Sequence, residues 1–414
     1  MKLDEVDLLD PDVFRTGRHH EMFRVLRAED PIHWTEEPAG PDGVAGAGFW
    51  SITRHADLIT VNREAHVFSS AEQGISIPDI TPEGEMVREM MLYMDPPRHT
   101  RYRLLVNKGF TPRMVGLLEA GLRTKCRLIV DNVIERGRCD FVIDIASELP
   151  LQAIAELMGV PSEDRHKLFE WTNRMIGIDD PEFEGDRESA GLAAAELYMY
   201  ANSLASEKRG KPLDDIISKL LGAEIGGDQL SETEFDMFFM LLAVAGNETT
   251  RNATAHGMKA LLDNPDQFAK LKANPELLDG AIEEMVRWAT PVLHFRRTAM
   301  DDYQLGDTLI RQGDKVVIWH ISANRDEAVF DDPFRFDIER SPNDHIAFGG
   351  GGPHFCLGAN LARMELQLIF TEILTRLPDM ELDGETEYLR SNFIGGIKHM
   401  PVTFTPGSRL GDRS

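Results

Sequence analysis

The stretch FGGGGPHFCLGANLAR (residues 348–363) constrains this chain more than any other. Four glycines and a proline lead to a cysteine, and a glycine and a helix-forming run follow it. Glycine supplies backbone shapes and close approach denied to other residues, so the segment reads as built to hold a sulfur against something large. A reactive or ligating sulfur needs its pKa lowered by a cation, a metal or helix N-terminal amides. Cys356 stands just before the helix begun by ANLARMEL, whose positive end favours an anionic sulfur. Gly352 and Gly358, on either side, permit tight turns. A glycine-rich turn with an incidental cysteine is the plain alternative. A phosphate loop is disfavoured because no Lys-Ser/Thr follows the glycines.

The other two cysteines, Cys126 and Cys139, have no regular spacing to Cys356. They form neither a disulfide framework nor a zinc site and read as inert thiols. Seventy acidic residues against 44 basic ones give a net charge of −26, which argues against nucleic acid or an anionic membrane as the main partner. No 18-residue apolar run exists, and the acidic start MKLDEVDLLDPDVF is unlike a signal peptide. The expectation is a cytoplasmic protein without a membrane anchor.

Helical periodicity dominates, over 117–137, 143–158, 164–176, 188–207, 231–262, 275–289 and 359–376. Strand-like runs are fewer: HFRRTAM, KVVIWHI and MPVTFTP. No repeat or linker separates helical from strand-rich parts. The expected architecture is mainly α with small β-sheets, as one domain over 1–414.

Three further constellations stand out. The apolar run MFFMLLAVAGNETTRNATAHGM (237–258) carries Glu248, Thr249 and Thr250 at mid-length. Buried polar groups need partners, so a Gly-x-acid-Thr break there points to a cavity holding water or a ligand. An acid beside an alcohol suits proton delivery; the alternative is threonine back-bonding to the preceding turn. In AIEEMVRWATP, Glu284 and Arg287 share a helix face, a spacing that alone is an ordinary surface pair. From Pro96 to Leu118 there is no acid, while Arg98, His99, Arg101, Arg103, Lys108 and Arg113 all fall there. His99 and Arg103, with Arg297 and His354, could clamp two carboxylates.

In this order the pieces resemble the cytochromes P-450, the heme-thiolate monooxygenases, from about Asp95 to the C-terminus. AGNETT is similar to the oxygen-activating motif of the family's central helix, EEMVR to its Glu-x-x-Arg pair and HFCLGANLAR to its cysteine loop. MDPPRHTRYRLLVNKGFTPR is similar to the bacterial ferredoxin-dependent branch. The resemblance implies the cytochrome P-450 fold and heme b (iron protoporphyrin IX). It makes Cys356 the axial ligand of the iron, with Gly352 in the same cofactor-binding loop. His99, Arg103, Arg297 and His354 would hold the propionates, and Glu248 with Thr249 would deliver protons during dioxygen activation. Glu284 and Arg287 would be the structural pair, with Arg335 or Arg340 as a third arm. Phe348 stands eight residues before the cysteine where the family commonly has it seven before, so the loop is one residue longer.

The reaction implied is hydroxylation of a small hydrophobic substrate by O2, with electrons from a ferredoxin and its ferredoxin reductase. The longer loop and the ending LRSNFIGGIKHMPV resemble actinobacterial members that act on sterols and branched lipids; a fatty acid is the further substrate expectation. Candidate lining residues are Met237, Leu241, Ala245, Val292, Leu293, His294 and Phe393, with the segment 75–94. Arg98, Arg101, Lys108 and Arg363 are the expected electron-donor face. The alternatives are a heme-based ligand sensor without turnover and a peroxide-driven peroxygenase; the Glu248–Thr249 pair argues against both.

Overall fold

The computed structural model describes residues 1–38, 46–80, 82–177, 179–183, 187–210, 216–222, 224 and 229–411. The chain is mainly helical with small sheets. Every long periodic run is a helix: Pro112–Ile134, Glu148–Leu157, Arg165–Ile176, Arg187–Gly210, Glu232–Asp263, Leu278–Ala289 and Ala359–Arg376. Local chemistry sets their starts. Thr111 caps Pro112–Ile134 through its side chain, with proline in the first helical position, where its missing N–H costs nothing. Ser231 and Glu234 exchange hydrogen bonds of 3.1 and 2.9 Å at the start of Glu232–Asp263, a reciprocal cap. Two helices outside the expected set, His19–Glu29 and His55–Arg63, lie in the N-terminal quarter. Neither has a side-chain cap, so the signals that mark a helix start are missing from both.

The central helix Glu232–Asp263 has 32 residues, about 48 Å at 1.5 Å per residue. It packs against Leu278–Ala289, Glu148–Leu157 and Arg187–Gly210. The break expected around Gly246–Thr250 is absent, and the helix runs through unbroken. Gly246 serves packing instead: a Cβ there would lie 2.3 Å from Ile154 Cδ1, so the missing side chain lets two helices approach. One buried cluster, including Ile129, Phe370 and Met285, lies towards the C-terminal half of the central helix. A second, including Tyr102, Phe235 and Phe239, lies towards its N-terminal half.

The three strand-like runs are strands. A five-stranded sheet has the order Ile32–Thr35, Phe49–Ile52, Lys315–Trp319, His294–Ala299, Phe68–Ser69. Only the pairing of Phe49–Ile52 with Lys315–Trp319 is parallel. Arg297 sits opposite Val316 in this sheet, and side chains alternate across a strand. Arg297 therefore shares a side with Phe295, while Arg296 points the other way to Asp79, 2.6 Å distant.

Candidate active site

The cysteine loop is shaped by glycines in the left-handed region: Gly349, Gly351 and Gly352 have φ of +97°, +91° and +76°. The Cys356 N–H donates to the Phe348 carbonyl at 2.9 Å and closes the loop. Burial pushes the Cys356 thiol pKa up; the amides of Gly358 and Ala359 and the charges of Arg103 and Arg363 act against that. Burial also pushes up the other two thiols, Cys139 to about 12, in keeping with inert roles.

Gly352 takes the tight turn expected of it, with a left-handed φ of +76°. A Cβ on it would fall 2.1 Å from the Asn62 carbonyl oxygen, so its glycine is required by the helix His55–Arg63 beneath the loop. Gly350 rests on the same helix, against Ile59 and the Asn62 amide. The Phe348 ring lies under the Arg363 guanidinium, 4.4 Å from its centroid, so the longer loop directs this ring towards the helix that follows the cysteine.

The four expected cationic groups converge. The His99 and His354 rings are 4.3 Å apart, and both Nε2 atoms are buried without a hydrogen-bond partner. Burial and the neighbouring Arg103 push His99 down to about 4, while burial and Arg297 hold His354 well below the usual imidazole range. Arg297 donates to the Arg296 carbonyl at 2.7 Å and Asn62 Oδ1 at 3.4 Å, and burial lowers it to about 10. Arg103 donates to Asn107 at 3.1 Å; burial lowers its pKa and the Cys356 sulfur opposes the shift. Among the described residues, none of the four forms an ion pair.

On the central helix, Leu241, Ala245 and Thr249 follow at intervals of four, and each keeps some exposure within a largely buried element. Thr249 Oγ1 donates to the Ala245 carbonyl at 2.6 Å, which is the back-bonding alternative. Glu248 is fully buried and ion-paired with Arg251 on its own helix. Its other oxygen has no partner, and burial raises its pKa against the pull of Arg251. Arg251 is held in turn by Asn173 at 2.9 Å.

Glu284 and Arg287 are fully buried and bonded twice, at 2.7 Å each, so the pair is internal and not a surface pair. Arg340 is the third arm, with Nε 3.1 Å from Glu284; Arg335 pairs instead with Asp337. Arg287 also donates to the carbonyls of Asn324 and Pro333 at 2.8 and 3.0 Å. The residue before Glu284, Glu283, carries no signal in the sequence that marks it out. It grips Arg363 at 2.6 Å and His345 at 3.0 Å and so fastens this helix to the one after the cysteine.

Of the expected lining residues, Leu241, Ala245, Val292 and Phe393 retain exposure. Met237 does not: it is 2% exposed and packed among Phe235, Phe239 and Tyr102. Leu293 turns into the N-terminal cluster with Phe14 and Trp319. His294 is buried between Trp319 and Phe393, with ring centroids 4.7 and 5.3 Å away, and Nδ1 lies 3.0 Å from the Asn392 carbonyl. In the segment 75–94, Met91 and Met94 are buried, and Thr81 lies outside the described residues. The expected donor face is largely tied down: Arg98 pairs with Glu89, Arg101 with Glu234 and Arg363 with Glu283, and Lys108 donates to the Glu224 carbonyl at 2.7 Å.

These residues fit an iron porphyrin. A single sulfur under amide donors is a ligand set for one axial position. Four cationic or imidazole groups without carboxylate partners, two of them with orphaned buried nitrogens, match two acid groups that the chain itself does not supply. Fold and site together define the class of heme-thiolate proteins. A family model described as Cytochrome P450 matches residues 151–387. The chain is 46% identical to a steroid C26-monooxygenase of Mycolicibacterium smegmatis, covering 97% of this chain and 94% of that one. It is 42% identical to a methyl-branched lipid omega-hydroxylase of Mycobacterium bovis, over 96% and 92%. The Mycobacterium marinum cytochrome P450 CYP268A2, solved in complex with pseudoionone, superposes with a TM-score of 0.90 at 41% identity, covering 98% and 99%. The chain belongs to the cytochrome P450 family. It is a monooxygenase that works on heme with O2, a hydrophobic substrate and a redox partner. Among the described residues no helix is long and apolar enough to cross a membrane.

Proposed function

We propose that this P450 hydroxylates the terminal methyl of a branched aliphatic chain, carried by a steroid or a methyl-branched lipid. Electrons would reach it from a ferredoxin and its reductase in the cytoplasm. The observation that carries the site is the Cys356 sulfur at the N-terminal end of Ala359–Arg376, with amides and Arg103 favouring its anion. The substrate class rests on the names of two relatives, a steroid C26-monooxygenase and a methyl-branched lipid omega-hydroxylase.

Bound heme supplies the activation of O2 and the insertion of one oxygen atom into a C–H bond. Cys356 would supply the sulfur that ligates the iron, and His99, Arg103, Arg297 and His354 would hold the group through its propionates. Leu241, Ala245, Val292 and Phe393, which keep exposure, would line the substrate site and exclude water from the substrate chain. Thr249 holds a proton on Oγ1; rotation away from the Ala245 carbonyl would turn that proton to the substrate side. Glu248, whose pKa is raised by burial, resupplies it after leaving Arg251.

The test is a substrate titration of the purified holoenzyme with a C27 steroid, a methyl-branched fatty acid and a linear fatty acid. Products are then mapped in a ferredoxin-driven assay. The expected result is a substrate-induced Soret shift and terminal hydroxylation of the branched substrates. Preference for the linear acid, or oxidation at a ring position, overturns the substrate class. Loss of the reduced-CO Soret band in Cys356→Ala tests the ligand separately.

A further inference from the structure

A cavity of about 310 Å³ lies between the N-terminal helix His19–Glu29 and the central helix, closed by the segment around Leu389–Gly396. It shares no residue with the cysteine loop or the four-cation clamp. His19, His20, His256 and Arg325 line it, and no Asp or Glu does, in a chain whose net charge is −26. Its remaining wall is mostly apolar, with Phe14, Trp288, Leu293 and Leu389.

Arg325 is 3% exposed. Its Nη2 donates to the Trp288 carbonyl at 2.8 Å, while its Nε and Nη1 are buried without a partner among the described residues. His256 Nε2, on the same cavity, is likewise buried and unpartnered. Burial, and then the Arg325 charge, push His19 down to about 3 and His256 to about 4, and hold His20 well below its usual value. Burial lowers Arg325 only to about 9, so near neutrality it carries the one fixed charge of the inner wall. Arg15 at the mouth is already paired with Asp12 at 2.7 Å. A buried guanidinium with free N–H groups is a site for an anion. One charge set in an apolar wall selects a monoanion with an apolar body, and the volume is that of a small ligand pocket.

We propose that this cavity binds a small organic acid, its carboxylate accepting from Arg325 and its apolar body lying against Phe14, Trp288 and Leu293. This second site takes no part in the hydroxylation. The test uses 4-iodobenzoate on the holoenzyme, with neutral 4-iodobenzamide as the comparison. In soaked crystals the iodine peak falls in this cavity with the carboxylate at Arg325, and the ligand leaves the Soret band unmoved. By calorimetry, affinity falls at least tenfold for the amide and for Thr16→Trp, which plugs the mouth from an exposed position. Thr16→Trp leaves the Arg325–Trp288 bond intact, so the outcome does not depend on whether an Arg325 variant folds. Only water in the cavity, equal affinity for acid and amide, or unchanged affinity in Thr16→Trp overturns the proposal.

Discussion

Glu248 and Thr249 adjoin in the chain yet share no hydrogen bond: the carboxylate is ion-paired with Arg251, and the hydroxyl donates to the Ala245 carbonyl at 2.6 Å. One residue along a helix is a turn of about 100°, which carries the two side chains to different neighbours. Proton transfer between them then requires both to move. Thr249→Ala should keep NADH consumption while product per NADH falls several-fold. Glu248→Gln should slow product formation by about 10²-fold, the scale of losing a general acid, with an unchanged Soret spectrum. Product and NADH measured together separate the two effects, and full coupling in Thr249→Ala would remove its role.

The Glu284–Arg287 pair is fully buried, so removing one partner strands a charge. Such a loss costs about 3–5 kcal/mol. Glu284→Ala and Arg287→Ala should therefore yield little folded, heme-loaded protein. Arg287→Lys keeps the charge but not the two parallel bonds or the carbonyl contacts, and should also lose stability. Thermal melts and the Soret-to-protein absorbance ratio check both; wild-type values in Arg287→Ala would mean that the pair is dispensable.

Gly352→Ala combines a left-handed φ of +76° with a Cβ 2.1 Å from a backbone oxygen. Left-handed strain alone costs about 1–2 kcal/mol for a residue with a Cβ, and the Asn62 carbonyl cannot swing aside as a side chain would. The variant should melt several degrees lower and retain less heme. A melt within one degree of wild type would place the loop elsewhere than on this helix.

Glu365 is fully buried with Oε2 unpartnered, and burial pushes its pKa up to about 8. Between its unfolded value near 4.5 and about 8, the folded state holds a proton that the unfolded state has released. Stability must therefore fall as pH rises through that window, by up to about 1.4 kcal/mol per pH unit from this group. Glu365→Gln should match wild type near pH 4 and exceed it at pH 8. Parallel stability curves for the two proteins would show that the acid titrates normally.

Much of this molecule was legible in the sequence because its chemistry is local. The helices show their apolar period and, at Thr111 and Ser231, their caps. Cys356, His99 with Arg103, and Glu284 with Arg287 each lie in a short motif, and the family resemblance supplied their roles; Arg297 and His354 come from separate segments that only the fold brings to His99. What stayed hidden depends on long-range packing. Nothing near Gly352 in sequence announces Asn62, and nothing near Arg363 announces Glu283. Met237, Leu293 and Ala245 are all apolar residues of core segments, and only the rotation of each element decides which of them keeps exposure. Arg340 and Arg335 are equivalent in composition; the turn before Ser341 brings the former to Glu284.

Asn62 touches both halves of the site: its carbonyl lies where a Gly352 side chain would be, and its Oδ1 takes Arg297. A residue from the quarter of the chain that carries no recognisable motif thus levels the cysteine loop and Arg297, one of the proposed propionate anchors, against one reference point. A fragment beginning at Asp95 would keep every motif of the family and lose the floor on which they are aligned.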